Sequence, residues 1–196
     1  GRASAPEEIF NFTEGKGIAI ELLVNNAGFG AYGEFQETDL ARQLEMIQVN
    51  IAAALHLTHL YLPAMIARRR GDILIVASTA AFQGVPYIAT YAATKAFDLL
   101  FAEALAEEVR RHGVRVCALC PGPTATEFHQ VAGQPRRVLR VQEPAEKVAR
   151  VGLDALARGR SYVISGLGNY LGVHGQRLAP RRFVTRVAAK LYRPVA

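Results

Sequence analysis

The sequence lacks the features that mark several large protein classes. Among 196 residues there are only two cysteines and no tryptophan, and no internal repeat or low-complexity run is present. Two cysteines cannot form a disulfide framework, and a hydrophobic fraction of 51% excludes a disordered or collagen-like chain. No basic-then-apolar leader follows Gly1, so we expect no signal peptide in this sequence. These counts describe one ordinary domain with enough apolar residues for a core.

Acidic residues are scarce in the last third of the chain. Residues 1–128 carry 10 Lys and Arg against 14 Asp and Glu, whereas residues 129–196 carry 13 against 3, and the whole chain has a formal net charge of +6. A basic segment of this kind attracts phosphate, nucleic acid or an anionic membrane, or is simply a solvated face. No nucleic-acid-binding module accompanies the charge, so we expect no nucleic-acid partner.

A long hydrophobic run without polar residues is also missing. The uncharged stretch Met46–Ala67 is long enough to span a bilayer, but it contains Asn50, His56, His59 and other polar groups on all sides. We therefore predict a helix buried in a soluble protein.

Short apolar segments alternate with longer helical patterns along the chain. Segments that are apolar throughout and separated by helices are typical of a parallel sheet covered on both faces. We therefore predict an α/β fold with a doubly wound parallel sheet. The predicted strands are 21–24, 72–77, 114–119 and 161–164, and the predicted helices run from about 38 to 70, from about 91 to 112, and onward from about 144.

Small and polar residues follow three of these strands, where ligands bind in open parallel sheets. Asn25-Asn26-Ala27-Gly28 follows the first strand and Ser78 follows the second. Tyr91 and Lys95 are four residues apart at the start of a helix, hence on one face. A lysine beside a tyrosine stabilises the phenolate, so we predict a lowered pKa for Tyr91 and a role as acid or base.

This ordered set of motifs resembles the short-chain dehydrogenase/reductase family. The family motifs read Asn-Asn-Ala-Gly, Asn, Ser, Tyr-x-x-x-Lys and Pro-Gly, and the resemblance covers roughly residues 7–165. Here they stand, with family-like spacing, as 25–28, Asn50, Ser78, Tyr91 with Lys95, and Pro121-Gly122.

The resemblance implies a role for each matching residue. Tyr91 would exchange a proton with the substrate oxygen while hydride moves to or from a nicotinamide, and Ser78 would polarise the carbonyl. Lys95 would lower the Tyr91 pKa and hold the nicotinamide ribose, and Asn50 would hold a water that links Lys95 to solvent. The implied cofactor is NAD or NADP, with NADP as the family-based expectation. The residues implied to bind it are Asn26, Ala27, Gly28, Tyr91, Lys95, Pro121, Gly122, Thr124 and Thr126.

The glycine-rich turn that opens the family's domain and holds the pyrophosphate is absent from this sequence. We therefore expect that the first βαβαβ portion is missing, that residues 7–17 end a helix, and that residues 22–24 form an exposed apolar edge. Gly28–Gly33 matches Gly-x-Gly-x-x-Gly, but no helix follows directly, so we predict a flexible loop beside the substrate. We also predict a loop for Gly166–Gly172.

Two further patterns suggest chemistry that their context does not favour. Cys117 and Cys120 have redox spacing, but within a strand they turn to opposite faces, so we predict buried, inert thiols. His56 and His59 lie one helical turn apart without a third ligand at suitable spacing, so we predict core or interface histidines and no metal site.

Two basic segments follow the third strand. Residues 127–142, with Arg136, Arg137 and Arg140, would by the resemblance form a mobile lid over the substrate. Residues 166–196 form an extension beyond the family core. The residue pattern of 176–196 predicts an amphipathic helix in this extension. Such a helix packs on its own domain, on a partner subunit or on a membrane surface. Its basic stripe is Arg182, Arg186, Lys190 and Arg193, and its apolar stripe is Phe183, Val184, Val187, Ala188 and Leu191.

Two function classes follow from these patterns. The first is a cytoplasmic, NAD(P)-dependent oxidoreductase, with peripheral membrane contact through residues 176–196 as an alternative site of action. Its substrate would be a small or lipid-like carbonyl or secondary alcohol, bound near the apolar residues Tyr32, Phe35, Val85 and Tyr87, and the resemblance implies a homodimer or homotetramer. The second class is a truncated, catalytically silent relative that acts as an oligomerisation or membrane-surface module.

Overall fold

The structure is a computed structural model that describes residues 1–133 and 142–194. A four-stranded parallel sheet with strand order β1-β2-β3-β6 forms its centre, which confirms the predicted α/β class. Its strands contain few polar residues because helices cover both faces. The strands are β1 (Leu22–Asn25), β2 (Gly71–Val76), β3 (Val114–Cys120) and β6 (Tyr162–Ile164), and a small second sheet pairs β4 (Thr124–Ala125) with β5 (Glu143–Pro144).

The helices divide between the two faces of the central sheet. The main core joins α3 and α4 to one face through Met65, Leu99 and Ile73, and α6 covers the other face through Val148 and Leu156. The helices are α1 (Ala5–Gly15), α2 (Leu40–Ile47), α3 (Ala53–Ala67), α4 (Ala89–Val109), α5 (Phe128–Val131), α6 (Ala145–Ala157), α7 (Leu167–Gly175) and α8 (Arg181–Tyr192).

The α2 and α3 helices form one continuous rod. The Asp39 side chain accepts a hydrogen bond from Ala41 N at its start, and a single π-helical turn (Gln48–Ala52) joins the two helices. Residues 40–67 form a segment that is long and apolar enough to cross a membrane, by length and composition only. In the structure, 28% of the most apolar stretch of this segment is buried. Because Ile47 and Leu55 are exposed, the prediction of a buried helix over residues 46–67 is wrong for its outer face.

The edge strand β1 leaves apolar side chains uncovered. Leu23 points into the main core, whereas Leu22 and Val24 are exposed on the opposite face, as predicted for this edge. The helix α1 precedes β1, which agrees with the prediction for residues 7–17.

The loop predicted for Gly166–Gly172 is wrong, because a helix, α7, begins at Leu167. Gly166 has a φ of 83° and turns the chain out of β6, and Asn169 Nδ2 then donates to the Ser165 carbonyl at 2.7 Å. Val173 is buried in the main core. Tertiary packing thus outweighs the low helix propensity of the glycines in this segment.

The predicted amphipathic helix in the tail is present as α8. Ala188 is buried in a second core cluster near Tyr91, and the Tyr32 hydroxyl donates to the Tyr192 carbonyl at 2.7 Å. The same helix exposes Phe183 and Val187. Thus α8 packs on its own domain with one side only.

Candidate active site

A cavity of about 890 Å³ opens at the carboxyl ends of the strands. The topology places it there because every strand of a parallel sheet delivers its last residues to the same edge. Most of the predicted site residues lie on its wall: Asn26, Gly28, Ser78, Tyr91, Lys95, Pro121, Gly122, Thr124 and Thr126. Asn50 lies buried behind this wall, and Ala27 is not on it.

Tyr91 lies in the first turn of α4, with only 8% of its surface exposed. Burial raises the pKa of its phenol far above the ordinary value, and the nearby Tyr192 and Asp98 raise the pKa further. The Ser78 hydroxyl acts in the opposite sense by hydrogen bonding to the phenol. The predicted lowering of the Tyr91 pKa is therefore wrong for this structure, because desolvation of the phenolate dominates.

Lys95 points into the same cavity from one turn further along α4. Its Nζ donates to the Val76 carbonyl at 2.7 Å and to Asp98 Oδ2 at 3.0 Å, and both charged side chains are almost wholly buried. An ammonium carries three protons, so one remains to face the cavity. Burial raises the pKa of the Asp98 carboxyl, and Lys95 opposes this shift.

The Lys95–Asp98 pair was missed by the sequence reasoning. The signal was available, because residues three apart on a helix are neighbours and often form ion pairs. Its importance was hidden because the burial of both groups depends on the packed fold. Asp98 Oδ1 is buried and has no hydrogen-bond partner among the described residues.

Asn50 occupies the π-helical turn between α2 and α3. Its Oδ1 accepts from Phe29 N at 3.1 Å, while its Nδ2 donates to the Phe29 carbonyl and to Thr94 Oγ1, both at 3.0 Å. Thr94 Oγ1 in turn donates to the Tyr91 carbonyl at 2.8 Å. Asn50 thus ties the loop after β1 to the turn of α4 that carries Tyr91.

Gly28 lies between Asn50 and Lys95. A Cβ atom at this position would come within 3.1 Å of Asn50 Oδ1 and 3.5 Å of Lys95 Nζ. The missing side chain therefore keeps open a narrow cradle lined by an amide oxygen and an ammonium group.

The loop after β3 forms the opposite wall. Thr79 N donates to the Pro121 carbonyl at 2.9 Å, and Thr124 Oγ1 donates to the Gly122 carbonyl at 3.0 Å. A Cβ on Gly122 would clash with the side-chain amide of Asn169, so any larger residue requires the Asn169 side chain to move. Asn169 was missed by the sequence reasoning, because no local pattern indicates that α7 packs on this loop.

Apolar side chains close the rest of the cavity. Val85 lies on the wall as predicted, and the Phe128 and Tyr91 rings are 5.2 Å apart. The other three predicted wall residues, Tyr32, Phe35 and Tyr87, are not on it, and Phe35 is 66% exposed. Tyr192 at the end of α8 lines the cavity instead.

Two secondary predictions are also decided by the side chains. Cys117 and Cys120 are buried in different core clusters on opposite faces of the sheet, as predicted. Burial raises the pKa of Cys117 to about 12. His56 is half-buried near Glu7 at 3.7 Å and His59 is exposed, so neither is a core histidine. Arg136, Arg137 and Arg140 of the predicted lid lie outside the described residues.

The cavity fits one end of a nicotinamide dinucleotide. The Lys95 ammonium and the Thr124 and Thr126 hydroxyls can hold ribose hydroxyls, amides or phosphates, and the Gly28 cradle admits a group that a side chain would displace. Among the described residues, no glycine-rich turn leads directly into a helix that could hold the pyrophosphate.

This fold and site define a Rossmann-like α/β protein with a buried Tyr–Lys pair at its ligand-binding edge. The sequence model of the short chain dehydrogenase family matches residues 3–137. The chain belongs to this family.

Three similar proteins illustrate the range of the family. The ketoacyl reductase HetN of Nostoc is 37% identical over 103 residues, which are 53% of this chain and 36% of that protein. Retinol dehydrogenase 8 of Bos taurus is 35% identical over 113 residues, which are 58% of this chain and 36% of that protein. A short-chain dehydrogenase from Sphingobium yanoikuyae, solved in complex with NADPH, is 25% identical with a TM-score of 0.75, covering 90% of this chain and 68% of that one.

The matched segment is a minor part of the curated relatives. It spans about a third of the length of the Nostoc and bovine proteins.

Proposed function

We propose that this protein is an NAD(P)-dependent oxidoreductase that interconverts a carbonyl and a secondary alcohol, with Tyr91 as the acid–base residue. The observation that carries the proposal is the meeting of Ser78, Tyr91 and Lys95 at one cavity beside apolar walls. When bound, a nicotinamide dinucleotide supplies or accepts the hydride.

The chain's own residues manage the proton and the substrate oxygen. In reduction, Tyr91 Oη donates its proton to the carbonyl oxygen, and Ser78 Oγ donates a hydrogen bond to the same oxygen as negative charge develops. The raised pKa of Tyr91 keeps the phenol protonated at neutral pH, which is the form that donates. Lys95 stabilises the phenolate left behind, and Asn50 fixes the turn that carries both side chains.

The substrate we propose is lipid-like. The cavity wall beside Tyr91 includes Val85, Ile88, Phe128 and Tyr192, which favour an alkyl or polyene chain over a sugar. The similarity to a ketoacyl reductase and a retinol dehydrogenase supports the same class. A 3-oxoacyl thioester and retinal are therefore the first substrates to assay.

The test is the Tyr91→Phe variant. We expect turnover to fall at least about a hundredfold, because the proton donor is lost, while nucleotide affinity is largely kept. Turnover is followed by NADPH or NADH oxidation, and affinity by titration calorimetry. Tyr162→Phe is the matched control, because the Tyr162 ring packs at a tilt against Phe82 and is not on the cavity wall. Wild-type rates in Tyr91→Phe would refute the assignment.

A catalytically silent module is the second candidate, and the exposed apolar face of the α2–α3 rod favours it. Such a protein would self-associate without binding a dinucleotide. Nucleotide titration of this chain, together with the intact mass of the protein from its native source, distinguishes the two. If the native protein has the mass of this chain, and if it self-associates without binding nucleotide, the silent module is supported.

A further inference from the structure

The helices α7 and α8 and the turn between them carry seven exposed apolar side chains. We call these side chains the C-terminal patch. Three members, Leu167, Tyr170 and Leu171, lie at helical spacing on α7, so they share one face of that helix. The patch is formed by Leu167, Tyr170, Leu171, Leu178, Phe183, Val187 and Leu191, which are all exposed.

The α8 helix divides into three faces. Ala188 is buried against the domain, and Phe183 and Val187 follow each other at intervals of four residues on an adjoining, exposed face. At 100° per residue, Arg182 and Arg186 fall on a third face beside the apolar one. This order of buried, apolar and basic faces is typical of a helix that lies in a membrane interface while anchored to its own domain.

The charged residues of the segment that carries the patch are of one sign. The acidic side chain that contacts the first turn of α7, Glu143, is paired with Lys147. No Asp or Glu occurs after Asp154, whereas eight Lys and Arg follow it. The six that flank the patch are all exposed, and none forms a salt bridge with a described residue: Arg177, Arg181, Arg182, Arg186, Lys190 and Arg193.

We propose that the C-terminal patch binds the surface of an anionic lipid membrane. Cations without an ion-pair partner among the described residues, beside exposed Leu and Phe side chains, match lipid headgroups and the acyl boundary below them. A second copy of the chain is a poorer match, because a twofold contact through this patch would bring like charges face to face.

Membrane binding through the patch would also place the cavity close to the membrane. Tyr192, the last residue of α8, lines the cavity, and Tyr32 bonds to its carbonyl. A docked α8 would hold the apolar cavity wall next to the lipid phase. This consequence for substrate supply depends on the proposed function, whereas the binding itself does not.

Sedimentation with vesicles tests the proposal on the full chain. We expect at least about tenfold stronger binding to phosphatidylcholine vesicles that contain phosphatidylserine than to phosphatidylcholine alone, with weakening in high salt. Arg182→Glu/Arg186→Glu is expected to abolish this preference, and Phe183→Ser/Val187→Ser to reduce binding to both kinds of vesicle.

Matched controls separate the patch from general surface effects. Phe12→Ser changes a phenylalanine that is 61% exposed, against 59% for Phe183, and Arg110→Glu/Arg111→Glu reverses two exposed charges remote from the patch. Both controls are expected to bind like the wild type, and circular dichroism verifies that every variant is folded.

Three outcomes would overturn the proposal. They are equal binding to both kinds of vesicle, equal losses in the control variants, and self-association that Phe183→Ser/Val187→Ser removes without any vesicle binding. Tyr91→Phe is expected to bind vesicles like the wild type. Vesicle binding therefore tests the membrane proposal even if the enzymatic proposal fails.

Discussion

The buried pair of Lys95 and Asp98 sets the electrostatics at the scale of single residues. Asp98 Oδ2 lies 3.0 Å from the lysine Nζ. Burial is the largest cause of the raised pKa of Tyr91, and the negative charge of Asp98 adds to it by opposing the phenolate. The sequence alone points to the opposite shift, because it shows the Tyr–Lys spacing and hides the burial. Asp98 is therefore the residue through which the proton step can be tuned without touching Tyr91.

The variant Asp98→Asn is expected to lower the pKa of Tyr91. Removing the carboxylate removes a charge that disfavours the phenolate, so the protonated phenol is lost at a lower pH than in the wild type. The alkaline limb of kcat/KM for reduction should then move to lower pH. The measurement is a pH profile of reduction in the wild type and the variant.

The control for this profile is Asp72→Asn. Asp72 pairs with Arg115 at the other end of the sheet, so its loss should leave the profile in place. An unmoved profile in Asp98→Asn, or a shift to higher pH, would contradict the electrostatic role of Asp98.

At the scale of elements, the strands and long helices were predictable because their patterns are local. Apolar runs define β2 and β3, and Asp39 and Gly113 mark helix ends at the predicted places. The α7 helix was not predictable from local preference. It forms because Val173 packs into the core, and this contact joins parts of the fold that the sequence pattern does not connect. The hydrogen bond from Asn169 to the Ser165 carbonyl is local and holds the first turn of the helix.

The variant Val173→Ala is expected to destabilise the protein, and the helical state of α7 in particular. Loss of a buried aliphatic side chain should lower the free energy of unfolding by about 2 kcal/mol. Leu171→Ala on the exposed side of the same helix should change it by less than about 0.5 kcal/mol. Urea unfolding gives both values, and hydrogen exchange of the α7 amides shows where the loosening occurs. Equal effects of the two variants would argue against the packing of α7 on the core.

At the scale of the whole molecule, the α/β class and the strand-end location of the site were predictable, because connection rules leave few topologies. The sequence did not predict which surfaces of the molecule remain uncovered. Ile47 is exposed, although the helix over residues 46–67 was expected to be buried, and Leu44 of α2 and Leu100 of the neighbouring α4 are exposed as well. Exposed leucines on adjacent helices favour self-association through this side of the molecule.

The variant Leu100→Arg is expected to dissociate a self-associated form. Leu100 is 66% exposed in the single chain, so the change should leave folding intact while placing a charge in an apolar contact. Sedimentation velocity at micromolar concentration should shift toward the monomer. Phe12→Arg on α1 is the control, and a wild-type profile for Leu100→Arg would exclude this surface as the contact.

The two cysteines of β3 give the sheet a reporter of its own opening. Thiol reagents react with the thiolate, and with a pKa of about 12 Cys117 is almost wholly protonated and shielded in the native state. Each thiol therefore reacts only after the core on its side has opened. If Cys117→Ser and Cys120→Ser proteins are labelled at the same slow rate, the two faces open as one cooperative unit. Different labelling rates would show that the core on one face of the sheet opens independently of the core on the other.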